Sequence, residues 1–436
     1  MSKETLSLNL SIFISLGSNL AGQFLMYLGV IVLARTFNPS EFGEFRYLFT
    51  VCTIINLFVL FGRDSFMVLT RQAVVKFDVA YTNELFSGII NILVVLSLTI
   101  ALGFFLGYQN FSGQLEKYFV CMLMVCFWGV ANLLIAVLKV ENKVLRTQVL
   151  SNFVQRFLRL LCFLAVAYLY SSDVINAYYA MLLSQVIFVL VLLSSLSIGT
   201  LRLIIKAKFR DISYKHNFSK SAGLFVITIV SVLALKVDIL VLGLIDEWEK
   251  VAIYEIVIMI STVVLLPQMA SQKVTELNYI STAYNNKLRS DAVDKAIKYS
   301  MIPLLIITVF PVQILNVFGA DYISGAGVLV LISMGYYVSI FFGSPFETLM
   351  MNGHANIGAR ILSFQVAFTI LLILLLHKII GLYGVLLAII ICLSVGKIIG
   401  RKFCKRQGLF VNKINYKLLV VSVFGFSLIS IPTLIG

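Results

Sequence analysis

The chain has 436 residues, 60% of them hydrophobic and only 12% charged, with a mean hydropathy of +1.00. An ordinary soluble domain is about 45–50% apolar and about 25% charged, so soluble globular classes are excluded. The 6 prolines and 27 glycines exclude collagen-like and low-complexity classes as well, which leaves a polytopic membrane protein.

A bilayer core of about 30 Å needs roughly 20 apolar residues per helix. On that ruler the predicted spans are 10–34, 44–62, 84–107, 118–138, 150–170, 174–197, 221–244, 251–270, 299–318, 325–346, 359–376 and 382–400, with 418–435 long enough for a thirteenth. These are continuous apolar runs, not ten-residue segments of alternating polarity, so helices are expected and a barrel is not. The first span is too long for a signal-peptide core and has no clear small-residue cleavage site, so it is expected to stay in the mature protein. Pro267, Pro303, Pro311 and Pro345 fall in spans eight to ten and predict kinks there, whereas Pro39 reads as a loop residue.

The net charge of +14 invites a nucleic-acid reading, which its distribution removes. Sorted by alternate loops, 26 Lys and Arg fall on one side, 5 on the other, and Arg156, Arg159 and Lys236 lie within spans. The positive-inside rule then places the N-terminus and the 401–417 segment in the cytoplasm. No nucleic-acid partner is needed; the excess is topological, with affinity for anionic lipids. The connections are too short for soluble domains, so the chemistry is expected inside the membrane or at its surfaces.

Common catalytic devices are missing. The six cysteines form no CxxC pair, and His216, His354 and His377 have no ligand spacing, so no metal is expected. No Walker A loop precedes Gly396-Lys397. No cofactor is expected, and a coupling ion, H+ or Na+, stays open. Gly103-x-x-x-Gly107 and Gly396-x-x-x-Gly400 are spacings that let helices approach closely.

The pattern restarts after the sixth span. An offset of 209 pairs Phe45 with Tyr254 and Arg46 with Glu255, and an offset of 211 pairs Phe153 with Phe364. Six spans per half is even, so the halves would share one orientation. The expected architecture is an all-α membrane protein of about twelve core helices in two six-helix bundles flanking a central cavity. The lobes are 1–200 and 201–400, followed by a basic segment and the thirteenth span over 401–436.

Within that frame "VLARTFNPSEFGEFRYL", after the first span, resembles the first outer loop of the Wzx-type polysaccharide flippases. The later "VDILVLG" with Tyr254, "FGADYISGAGVLVLISMG" and "IIGLYGVLLA" resemble other junctions of the same family. The resemblance covers essentially the whole chain. Phe37, Ala252 and the thirteenth span depart from the family pattern. The resemblance implies the MATE-like fold of the multidrug/oligosaccharidyl-lipid/polysaccharide (MOP) exporter superfamily. It also implies a flippase, not an enzyme, moving an undecaprenyl-pyrophosphate-linked oligosaccharide, such as an O-antigen unit of lipopolysaccharide, across the bacterial inner membrane by alternating access. The implied partners are that lipid, membrane lipids, and a polymerase and chain-length regulator of the pathway, with the chain itself a monomer. A cation or drug antiporter of the same fold, or a membrane-embedded polymerase or ligase, are the alternatives. The antiporter would want an acid deep in helix one, where residues 10–34 have none.

Arg156 and Arg159, at i and i+3 in the fifth span, share one face and either snorkel to headgroups or bind the substrate pyrophosphate. Lys236 is the third candidate cation, lining the cavity or pairing with an acid. Asp238 is two residues away, so on a regular helix the two do not face each other. Arg46 and Glu255, at equivalent repeat positions, either form a gate pair or anchor the interface. Arg63, next to Asp64, is a boundary pair or a substrate contact. Asn19, Gln23 and Tyr27 share one face of the first helix and either contact sugar hydroxyls or bond neighbouring helices.

Overall fold

The computed structural model describes residues 3–62, 88–94, 96–98, 115–141, 143–169, 173–206, 214–245, 248–272, 286–409, 411, 412, 414, 417–422, 425 and 426. The expected all-helical class is what is observed, and no strand occurs among the described residues. In chain order the helices are α1 (Lys3–Thr36), α2 (Pro39–Leu60), α3 (Leu115–Val140), α4 (Val144–Val149) and α5 (Gln155–Leu169). They continue with α6 (Ile175–Ser195), α7 (Ile198–Lys206), α8 (Tyr214–Ile245), α9 (Trp248–Ser261), α10 (Asn286–Val309) and α11 (Pro311–Asn316). The last are α12 (Ala326–Phe341), α13 (Pro345–Met351), α14 (Ala355–Ile380) and α15 (Leu382–Arg406). Among the described residues ten helices are long and apolar enough to cross a membrane, so this is a multi-pass membrane protein.

Local chemistry explains the departures from the apolar ruler. Pro39 is not in a loop; it is the first residue of α2, where its missing N–H is not needed. The ninth span is not one continuous run. α10 begins in polar sequence at Asn286 and stops at Val309, and Pro311 starts the separate α11 after Phe310. Pro267 cannot donate to the carbonyl four residues back, and a 3-10 turn, Thr262–Leu265, stands just before it. The third span reaches the described residues only as an apolar helix over Gly88–Leu98. Arg63, Gly103 and most of 418–435 lie outside them.

Two compact units are formed. Unit 1 comprises residues 1–38 and 48–229, and unit 2 comprises 39–47 and 230–436, so α2 and α8 each run through both. The core of unit 1 joins Leu134, Val137 and Leu138 of α3 to Phe188, Val189 and Leu192 of α6. In unit 2, α9 is buried on all sides from Val251 to Val257, Glu255 included. A helix that is apolar all round belongs in a core, and a carboxylate there requires cations. Leu349, Ile361 and Cys404 form a second packed cluster in unit 2. There Gly400 lets α15 approach α13, since a Cβ would sit 3.1 Å from Pro345 Cβ.

Candidate functional site

The fifth predicted span is not a uniform helix. Between α4 and α5 the chain makes one π turn, Leu150–Val154. Such turns leave backbone groups displaced from the regular ladder and often mark functional positions. α1 passes so close that a Cβ on Gly22 would meet the carbonyl of Asn152, and it would lie 3.2 Å from Arg156 Cδ. The turn therefore sets the contact between α1 and α5 at the point where the two arginines emerge.

Phe153, Phe157, Leu161, Leu164 and Tyr168 form an exposed apolar stripe. Both arginines leave α5 on another side. The Arg159 guanidinium lies over the Phe49 ring of α2 at 5.6 Å, and Phe49 stacks on Trp128 of α3. Cation–π placement of this kind holds a guanidinium without neutralising it. Arg156 is half-buried beside α1, with Tyr27 its electrostatic neighbour. One of its terminal nitrogens, Nη1, is buried with no hydrogen-bond partner among the described residues. Asn19, Gln23 and Tyr27 are half-buried on α1. Next to the arginines in sequence, Gln155 donates to Gln185 of α6 at 3.2 Å. The sequence holds no Asp or Glu in 45–60, 117–140, 144–169 or 175–206, and none in α1 after Glu4.

In unit 2 the predicted charges come together. Arg46 forms an ion pair with Glu255, and Lys236 Nζ stands 3.7 Å from the same carboxylate oxygen. Asp238 does not pair with Lys236 by hydrogen bonding. It accepts from the Tyr254 hydroxyl at 2.5 Å and from the Ile239 amide at 2.9 Å. The cluster holds two cations and two carboxylates, so it is formally neutral. Lys236 thus has the neighbouring acid that the sequence left open.

Sequence reasoning missed Tyr254 as the partner of Asp238. It also missed the polar break between α12 and α13. There Lys397 donates to the Ser339 carbonyl at 2.9 Å, Arg401 donates to the Phe342 carbonyl at 3.0 Å, and Asn412 donates to the Phe341 carbonyl at 3.2 Å. These are the orphan carbonyls that a helix C-terminus leaves, and cations satisfy them well. Lys397 is thus a residue of α15 that caps α12.

At the end of α3, Glu141 accepts from the Ser197 hydroxyl at 2.9 Å and from Thr200, and it pairs with Lys143 at 2.7 Å. Burial pushes this carboxyl up, but the bonds from Lys143, Thr200 and Ser197 outweigh it and hold Glu141 below the ordinary carboxylate range. Among the described residues no group of three metal-ligating side chains occurs.

The family described as "Polysaccharide biosynthesis protein" matches residues 10–271, more than half of the chain. No curated protein matches. Among solved structures, an outward-facing multidrug-resistance transporter of the MATE family in the MOP superfamily aligns at 18% identity and a TM-score of 0.60, covering 91% of this chain and 94% of that one. A MATE protein in complex with MaD5 aligns at 17% identity and a TM-score of 0.62, covering 91% and 94%. A MOP-superfamily transporter from Pyrococcus furiosus, described as having a binding pocket of reversed polarity, aligns at 17% identity and a TM-score of 0.59, covering 92% and 94%. These likenesses show the MATE-like fold.

Proposed function

The chain belongs to the polysaccharide biosynthesis protein family, and from that premise we propose that it is a flippase for an undecaprenyl-pyrophosphate-linked oligosaccharide. It works by alternating access in the bacterial inner membrane with its N-terminus in the cytoplasm, and it is a transporter, not an enzyme. The observation that carries the reading is the pair Arg156 and Arg159. Both turn into unit 1 from a membrane helix, one of them with a buried nitrogen that has no hydrogen-bond partner among the described residues, in spans that contain no carboxylate. A pyrophosphate cannot enter hydrocarbon without compensating cations, and guanidinium groups suit it by bidentate geometry. A cation extruder would require the opposite charge in these helices. Asn19, Gln23 and Tyr27, on α1 beside the arginines, are the candidates for sugar hydroxyls.

Complementation of a strain lacking its flippase tests the reading. Arg156→Ala and Arg159→Ala should abolish surface polysaccharide at normal protein levels, and Arg→Lys should retain part of it. Normal export by both alanine variants would remove the arginines from the site. The orientation has its own test: a reporter fused after Lys215 should be active in the cytoplasm, and one after Trp248 outside.

A further inference from the structure

The charged cluster of unit 2 is built unevenly. Glu255 presents Oε1 to two cations, and its Oε2 is buried with no hydrogen-bond partner among the described residues. Arg46 bonds to Oε1 directly, while Lys236 at 3.7 Å is beyond hydrogen-bond length. The side chains of Arg46 and Glu255 are 14% and 4% exposed, whereas that of Lys236 is 33% exposed. Asp238 does not compete, because both of its oxygens already accept bonds, from Tyr254 and the Ile239 amide. Of the four charged groups, the accessible one is also the loosely held one.

The geometry points to Lys236 as an anion-exchange point, where the pyrophosphate of the carried lipid replaces Glu255 as partner of the ammonium. Arg46 is the positioning residue: it keeps Glu255 compensated while Lys236 is away. With a single cation on Glu255 the exchange would strand a buried carboxylate, which is strongly unfavourable. Lysine suits the task better than arginine, since its compact charge swings on a flexible stem without breaking a bidentate pair. No covalent bond and no proton need move. The inference rests on the substrate reading given above.

Residue-level acylation of Lys236 by an amine-reactive ester, measured by mass spectrometry on the full-length protein in nanodiscs, tests it with inorganic pyrophosphate as the probe. In Glu255→Gln the label should enter Lys236 faster than in wild type. Pyrophosphate should then protect Lys236 at a concentration about tenfold lower, the weight of one charge-assisted contact. Arg46→Gln leaves Glu255 with Lys236 alone, so protection should need more pyrophosphate, and Arg46→Gln/Glu255→Gln should reverse that rise. A cluster that only held the fold together would alter protein yield in these variants without moving the pyrophosphate concentration. If Glu255→Gln fails to fold, Glu255→Asp draws the carboxylate back by one methylene and should shift protection in the same direction. No protection of Lys236 in wild type and Glu255→Gln, or an unchanged concentration in Arg46→Gln, overturns the exchange. Protection at Lys236 in a protein that moves no lipid-linked oligosaccharide in vesicles would keep the exchange and overturn the substrate reading. Transport with no protection at Lys236 would do the reverse.

Discussion

Removing Arg46 while keeping its volume, as in Arg46→Met, isolates the energetic weight of its pair with Glu255. The two side chains are only 14% and 4% exposed, so neither charge is well solvated. Breaking a buried pair by deleting one partner costs about 3–5 kcal/mol, because the other charge is left in a low-dielectric site. Here Lys236 stands 3.7 Å from the same oxygen and takes over part of the compensation. The expected loss is therefore near the low end, about 3 kcal/mol. Glu255→Leu should cost a similar amount, since it leaves Arg46 buried. The double variant Arg46→Met/Glu255→Leu removes both charges and fills their space with apolar atoms. It should return to within about 1 kcal/mol of wild type, because such replacements are often neutral. Unfolding free energies in mixed detergent micelles would supply the double-mutant cycle. A cycle in which both single costs stay below about 1 kcal/mol and simply add would show that the pair is solvated and unimportant to stability.

Three further outcomes can be checked on the same purified protein. Tyr254→Phe removes the hydroxyl 2.5 Å from Asp238 and should destabilise by about 1.5–3 kcal/mol, an effect that shrinks in an Asp238→Asn background. Gly22→Ala drives a methyl into the Asn152 carbonyl and should destabilise by about 1–3 kcal/mol, whereas Gly17→Ala, which meets nothing within 4 Å, should not. Equal melting temperatures for the two alanine variants would refute the close approach of α1. Because Glu141 titrates below its unfolded value of about 4.3, its stabilisation is present above that pH and disappears as pH falls through the lower folded value. The stability gap between wild type and Glu141→Gln should thus be full at about pH 7 and narrow as the pH falls below the unfolded value; a gap that stays constant through acid pH would contradict the assignment.

Hydropathy located nearly every membrane helix because twenty apolar residues leave a chain few alternatives. It failed where polarity and proline act together. α10 starts well before the apolar run does, and Pro311 ends its continuity with α11. The π turn before Arg156 left no signal in composition, since Leu150–Val154 is as apolar as its neighbours apart from Ser151 and Asn152. Repeat alignment did place Arg46 and Glu255 at equivalent positions, and the structure pairs them. The partner of Asp238 was legible in principle. α8 ends at Ile245 and α9 begins at Trp248, so residues at similar distances from those two ends are candidates to meet. Counting from those ends puts Asp238 level with Glu255, with Tyr254 one residue nearer the break and Lys236 two residues further out. The cap on α12 by Lys397, Arg401 and Asn412 was not legible, because it depends on where α15 and the segment after it return.

The two units solve the same electrostatic problem in opposite ways. In unit 2 Glu255 stands beside two cations, Asp238 accepts from two donors, and the four charges cancel, which is what keeps a buried network stable on its own. In unit 1 two guanidinium groups sit in helices without a single carboxylate, one over an aromatic ring and one with a buried nitrogen that has no hydrogen-bond partner among the described residues. Stability alone gives no reason to keep such groups, since leucine at either position would remove the desolvation cost altogether. On the flippase reading proposed above, an anion reaching the arginines offsets that cost. The neutral cluster of unit 2 needs no outside partner to be stable, which is why the arginine pair carries the substrate proposal.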